Sequence, residues 1–181
     1  MKRTNSDPLL LAGKVIAIFM QGAMAFGGLV LAGVTIAVLF FNEPIIAEFA
    51  ADTGNPDIAL PIPALIGVFI IGMAILAAMF VFFGKLRQII NTVGEGDPFQ
   101  PANADRLSLM GWLMLGVHLL FVPAAALGHM LAEFASQLED ASLTVDGGVD
   151  LSGLLLVIIL FILARVFRHG AAMREDLEGT V

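Results

Sequence analysis

The stretch from Val15 to Phe41, VIAIFMQGAMAFGGLVLAGVTIAVLFF, contains no charged side chain. A helix rises about 1.5 Å per residue and needs roughly 20 apolar residues to cross a ~30 Å hydrocarbon layer. This run clears that length, and others follow, so spans are expected over about residues 15–41, 60–84, 109–131 and 151–168. Backbone polar groups inside a bilayer must be satisfied within the spanning element, which leaves helices or closed barrels. The short alternating segments of a barrel are missing from this sequence. The expected fold is all-α, an integral membrane four-helix bundle forming a single membrane domain over residues 1–181. A soluble core has no room for so much apolar surface. Of the 181 residues 59% are apolar and 14% charged, against about 45–50% and about 25% in ordinary soluble domains. The first run also exceeds the roughly 7–15-residue core of a signal peptide, so it reads as a retained span.

Orientation follows from the basic residues. The chain has 9 of them: Lys2, Arg3, Lys14, Lys85, Arg87, Arg106, Arg165, Arg168 and Arg174. All fall on one side of the four-span layout, in the termini, near the span ends or in the loop 85–108. The loops 42–59 and 132–150 hold none and carry only acidic charge. The positive-inside rule then puts both termini and the loop 85–108 in the cytoplasm, with 42–59 and 132–150 outside, in the inner (cytoplasmic) membrane of the cell. The chain has no cysteine, which excludes thiolate metal sites, thiol redox chemistry and disulfide-stapled outer loops.

Membrane helices pack where small residues let backbones approach. The first span carries Gly22, Ala25, Gly28 and Ala32 on one face, and the second carries Ala64, Gly67, Ala74 and Ala77 or Ala78. These faces suit packing within the bundle, and the first also suits a homodimer. Pro61 and Pro63 open the second span, where a missing N–H costs little. Pro123 lies inside the third span and removes a backbone hydrogen bond there.

Polar groups inside spans are functional candidates. Gln21 and His118 are the candidates here, with Pro123 close to His118. His129 lies near the His118 face, but eleven residues of helix separate the two by about 16 Å. They cannot share a metal, and no other span offers histidine as a second haem ligand. His118 is expected to be neutral and bonded to a neighbouring helix, and His129 to pair modestly with Glu133. No HExxH, GxSxG, Ser/Lys dyad or acidic residue within a span is present, so no catalytic set, cofactor or metal is expected. The acidic run EDASLTVDGGVD from Glu139 to Asp150 lacks EF-hand spacing and reads as a solvated loop.

The second span continues past the membrane as GKLRQIINTV, with Leu86, Ile89, Ile90 and Val93 at helical spacing among basic residues. Gly94 and Gly96 suit its end, because glycine takes the left-handed conformation without strain. Asp97-Pro98 reads as a turn. Gln100 as N-cap with Pro101 in the first position then starts a new helix, with Asn103 a rival N-cap. Asp105 favours the positive end of that helix, and Trp112 belongs to the interfacial aromatic belt.

The run GDPFQPANADRLSLMGWLML resembles the signature of the domain-of-unknown-function 2975 family, small bacterial four-span membrane proteins. The C-terminal ARVFRHGAAMREDLEGTV resembles that family's basic ending, with Met173-Arg174-Glu175-Asp176 matching its acidic motif. Glu178-Gly179 before Thr180-Val181 departs from it. The resemblance implies no established activity. It implies genes beside small soluble helix-turn-helix regulators, hence a non-enzymatic regulatory or sensory partner with no direct nucleic-acid contact. The residues then expected to dock a partner are Arg87, Asp97, Pro98, Phe99, Asn103, Arg106, Arg168, Arg174 and Glu175. In that reading the bundle senses the lipid bilayer or a lipophilic ligand. The competing expectation is a small transporter or channel with its polar site at Gln21 and His118.

Overall fold

The computed structural model describes residues 7–54, 60–136 and 150–178. They form α1 (Pro8–Phe40), α2 (Asn42–Thr53), α3 (Ile62–Gly94), α4 (Pro101–Ala135) and α5 (Leu151–Glu178). The protein is all-helical, and α1, α3, α4 and α5 are each long and apolar enough to cross a membrane. Lys2, Arg3, the tail from Gly179, and the acidic run from Glu139 apart from Asp150 lie outside the described residues.

The connection 42–59, expected as a loop, contains α2. Its acidic residues hide an apolar face of Ile46, Phe49 and Ala50 at helical spacing. Phe49 stacks at 6.0 Å on Phe134 of α4, and Gly54 closes the helix with φ 64°.

Contacts gather the chain into two compact units. One comprises Met1–Ala25, Ala77–His118 and Asp150–Val181, the other Phe26–Leu76 and Leu119–Val149. The core of the first is Phe82, Ile89, Leu107, Met110, Leu160 and Ala164, from α3, α4 and α5. Ala17 of α1 is fully buried in the same unit, and Gly13 brings α1 against Ile90. In the second unit small residues set the approach of helices. A Cβ on Gly27 would meet Leu76, one on Gly72 would meet Leu31, and one on Gly67 would meet Leu127. As a packing face within the bundle, the expected α1 glycine set is therefore corrected. A Cβ on Gly22 or Gly28 would meet nothing within 4 Å, and Gly27 makes the close approach instead. Pro63 sits in the first turn of α3, whose Leu65 N–H reaches the Pro61 carbonyl at 3.1 Å. Helix α4 runs on through Pro123.

The end of α3 is built by its glycine. Gly96 has φ 81°, and its N–H donates to Val93 O at 3.1 Å while Asp97 N–H donates to Thr92 O at 3.0 Å. That pair of bonds is a Schellman motif with Gly96 at the left-handed position. We expect Gly96→Val to lower unfolding free energy by about 1–3 kcal/mol, because a β-branched residue resists positive φ. Gly94→Ala, at a helical position without positive φ, is the control expected to melt near wild type. Equal melting of Gly96→Val and wild type in detergent would contradict the assigned turn.

Candidate functional site: the α3–α4 turn and its contacts with α5

The Schellman motif turns the chain into Asp97-Pro98, and α4 starts at Pro101. Gln100 is the cap by its backbone, since the Asn103 N–H donates to Gln100 O at 2.9 Å. The Gln100 side chain donates from Nε2 to Asp97 Oδ2 at 2.9 Å, which stiffens the turn ahead of the helix.

Asn103 is neither an N-cap nor a surface contact. It is fully buried. Its Nδ2 donates to Thr92 Oγ1 at 2.7 Å and to Pro98 O at 2.8 Å. Its Oδ1 accepts from Arg106 Nη1 at 2.7 Å, and Thr92 Oγ1 donates onward to Ile89 O at 2.8 Å. One amide thus ties the last turn of α3, the connecting turn and the first turns of α4. Burial away from water makes each of these bonds expensive to lose.

Helix α5 lies against this turn. Arg174 donates to Asp97 Oδ1, and Arg168 pairs with Asp105 at 3.5 Å. The Phe99 ring stacks at 5.4 Å on Phe167. It sits where a side chain on Gly170 would be, since a Cβ there would come within 2.6 Å of Phe99 Cδ1. Farther along α5, Phe161 covers Gly111 and meets Trp112 edge-on at 5.3 Å. The two segments that carry the resemblance therefore meet in space.

Most residues expected to dock a partner are engaged within the chain. Asn103 and Arg106 face inward, the Pro98 carbonyl accepts from Asn103, and Asp97, Phe99, Arg168 and Arg174 join the turn to α5. Arg87 and Glu175 have no ion-pair partner among the described residues. Sequence reasoning missed Thr92, Phe167 and Gly170. Only the glycine, isolated in a basic helix, signalled a close approach.

Gln21 and His118 touch different helices. Gln21 Nε2 reaches Phe80 O at 3.5 Å, over Gly84 of α3. His118 Nδ1 is 2.7 Å from Met114 O, and since a carbonyl only accepts, Nδ1 carries the proton. The expected bond to a neighbouring helix is therefore a bond within α4. The neighbour, α5, supplies packing: His118 Nε2 lies 3.9 Å from Asp150 Oδ2 and directly over Gly153. Asp150 also caps α5 through Oδ1, which accepts the Ser152 N–H at 3.0 Å. His129 and Glu133 are both exposed and form no ion pair, because water solvates each more cheaply than ordering both. Among the described residues no three His, Asp or Glu side chains group to hold a metal.

No curated protein and no solved structure matches the chain. A family model described as "Protein of unknown function (DUF2975)" matches residues 45–181. That span holds α3, α4, α5 and every contact between the turn and α5, and the chain belongs to the DUF2975 family.

Proposed function

We propose that this protein is a non-enzymatic membrane partner of a small soluble helix-turn-helix regulator, which docks on the face made by the α3–α4 turn and α5. The supporting observation is the union of the two family-like segments into one polar surface through Asp97–Arg174 and Asp105–Arg168. The Asp105 and Arg168 side chains are 79% and 65% exposed. Ion pairs so exposed stabilise a fold by only about 0–1 kcal/mol. Opposite charges displayed in a fixed pattern are better suited to steering and registering a partner. Glu175, exposed on the same helix, extends the pattern. In this reading the face and both termini lie in the cytoplasm of a cell bounded by an inner membrane, the side favoured by the basic residues.

The test is crosslinking and capture from native membranes, using the full chain and the helix-turn-helix regulator encoded beside it. The intact protein is expected to capture the regulator, and the Asp105→Asn, Glu175→Lys double variant to lose most of that capture while melting like wild type. No capture by the intact protein, or undiminished capture by the variant, would overturn the reading.

A further inference from the structure

The α1–α3 groove carries a second constellation, with no part in the α3–α4 turn. Two contacts fix the register of these antiparallel helices: Gly13 against Ile90, and Gln21 against Gly84 and the Phe80 carbonyl. Lys14 precedes Gln21 by seven residues, close to two full turns, so the two share one face of α1. Phe80 and Arg87 are related in the same way on α3. Since Gln21 touches the Phe80 carbonyl, Lys14, Gln21 and Arg87 lie along the same edge of the groove. Lys14 stands about 10 Å from the Gln21 contact along the axis, and Arg87 between about 4 and 11 Å in the same direction. The two cations therefore flank one stretch of groove, with a primary amide below them.

Lys14 is exposed and Arg87 half-buried, and neither has an acidic partner among the described residues. One turn from Lys14, Ile18 is 45% exposed, and across the groove Phe80 is 40% exposed. The edge thus offers two positive charges at one end and open apolar surface toward the other, where the amide lies beside Phe80. A ligand that matches both has an anionic head and apolar chains.

We propose that Lys14 and Arg87 bind the phosphate of an anionic phospholipid whose acyl chains lie along Ile18 and Phe80. Basic side chains attract anionic lipid, and a fixed pair of them converts general attraction into a site. Gly84 is the residue that admits Gln21, because a Cβ there would come within 2.9 Å of Gln21 Nε2. The inference stands apart from the proposed regulator, since the groove shares no residue with the Asp105–Glu175 face.

The test is native mass spectrometry of the full-length protein in neutral detergent, titrated with phosphatidylglycerol or phosphatidylcholine. Wild type is expected to favour the first bound phosphatidylglycerol by about 30-fold, as two basic contacts provide. The Lys14→Ala, Arg87→Gln double variant should bring the two lipids within about twofold. Arg87→Lys and the distant Arg168→Gln should keep the preference. The proposal falls if the double variant keeps it, if Arg168→Gln loses it equally, or if millimolar inorganic phosphate displaces the lipid. The last result would assign the site to free phosphate, and an unselective wild type would leave no lipid site at all.

Discussion

Replacing Asn103 with alanine is expected to lower the unfolding free energy by about 2–3 kcal/mol, the largest loss at the α3–α4 turn. The substitution removes the donor bonds to Thr92 Oγ1 and Pro98 O and the acceptor for Arg106. A buried polar group left unpaired costs about 1–3 kcal/mol, and bonds to charged groups lie at the upper end. Arg106 is half-buried and recovers part of its loss from water. Asn103→Asp separates this account from a capping role. An aspartate caps a helix as well as asparagine does, but it cannot donate to Thr92 and Pro98. In thermal or chemical unfolding, Asn103→Asp should be nearly as damaging as Asn103→Ala. A near-wild-type Asn103→Asp would show that capping, not the inward donor bonds, is what Asn103 provides.

Gly153→Ala is expected to cost a similar amount, about 2–3 kcal/mol, for a steric reason. The added Cβ would lie 2.0 Å from His118 Nε2 and 2.7 Å from Asp150 Oδ2. The imidazole cannot swing aside freely, because Nδ1 is held by the Met114 carbonyl. A double-mutant cycle isolates the clash. In a His118→Ala background the same Gly153→Ala change should be close to neutral, or slightly stabilising, since alanine favours a helix over glycine by about 1 kcal/mol. Equal costs of Gly153→Ala in both backgrounds would mean that the tight approach of α5 to His118 is absent.

These two positions mark where sequence reading reached and where it stopped. The turn itself was legible. Gly96, Asp97-Pro98 and Pro101 each act through their own backbone preferences, so their neighbours in the chain suffice to place them. Asn103 sits in the same stretch, yet its role was not legible, because its donors point at Thr92, eleven residues earlier, and its burial depends on α3 lying overhead. His118 was recognisable as an unusual polar residue in a span. That its neighbour would be a glycine at the start of α5 depended on the register of two helices whose contact no local pattern encodes. The α1 glycines make the same point. Gly22, Gly27 and Gly28 are chemically identical, and only the position of α3 selects Gly27. The acidic charges over residues 42–59 masked the apolar face of α2, which becomes evident once Phe134 is there to receive Phe49.

By itself, the sequence determined that this chain is helical and built to sit in a membrane. Long uncharged apolar runs have no other solution when backbone groups must pair internally, and the glycine and proline signals at the α3–α4 turn act within a few residues. Tertiary structure decided which faces of those helices meet, and with them the site. Side chains on a helix point all round its axis, so the partner of each is chosen by the neighbouring helix. That choice turned a loop that looked open to solvent into a buried amide hub joined to α5 by ion pairs and a stacked ring.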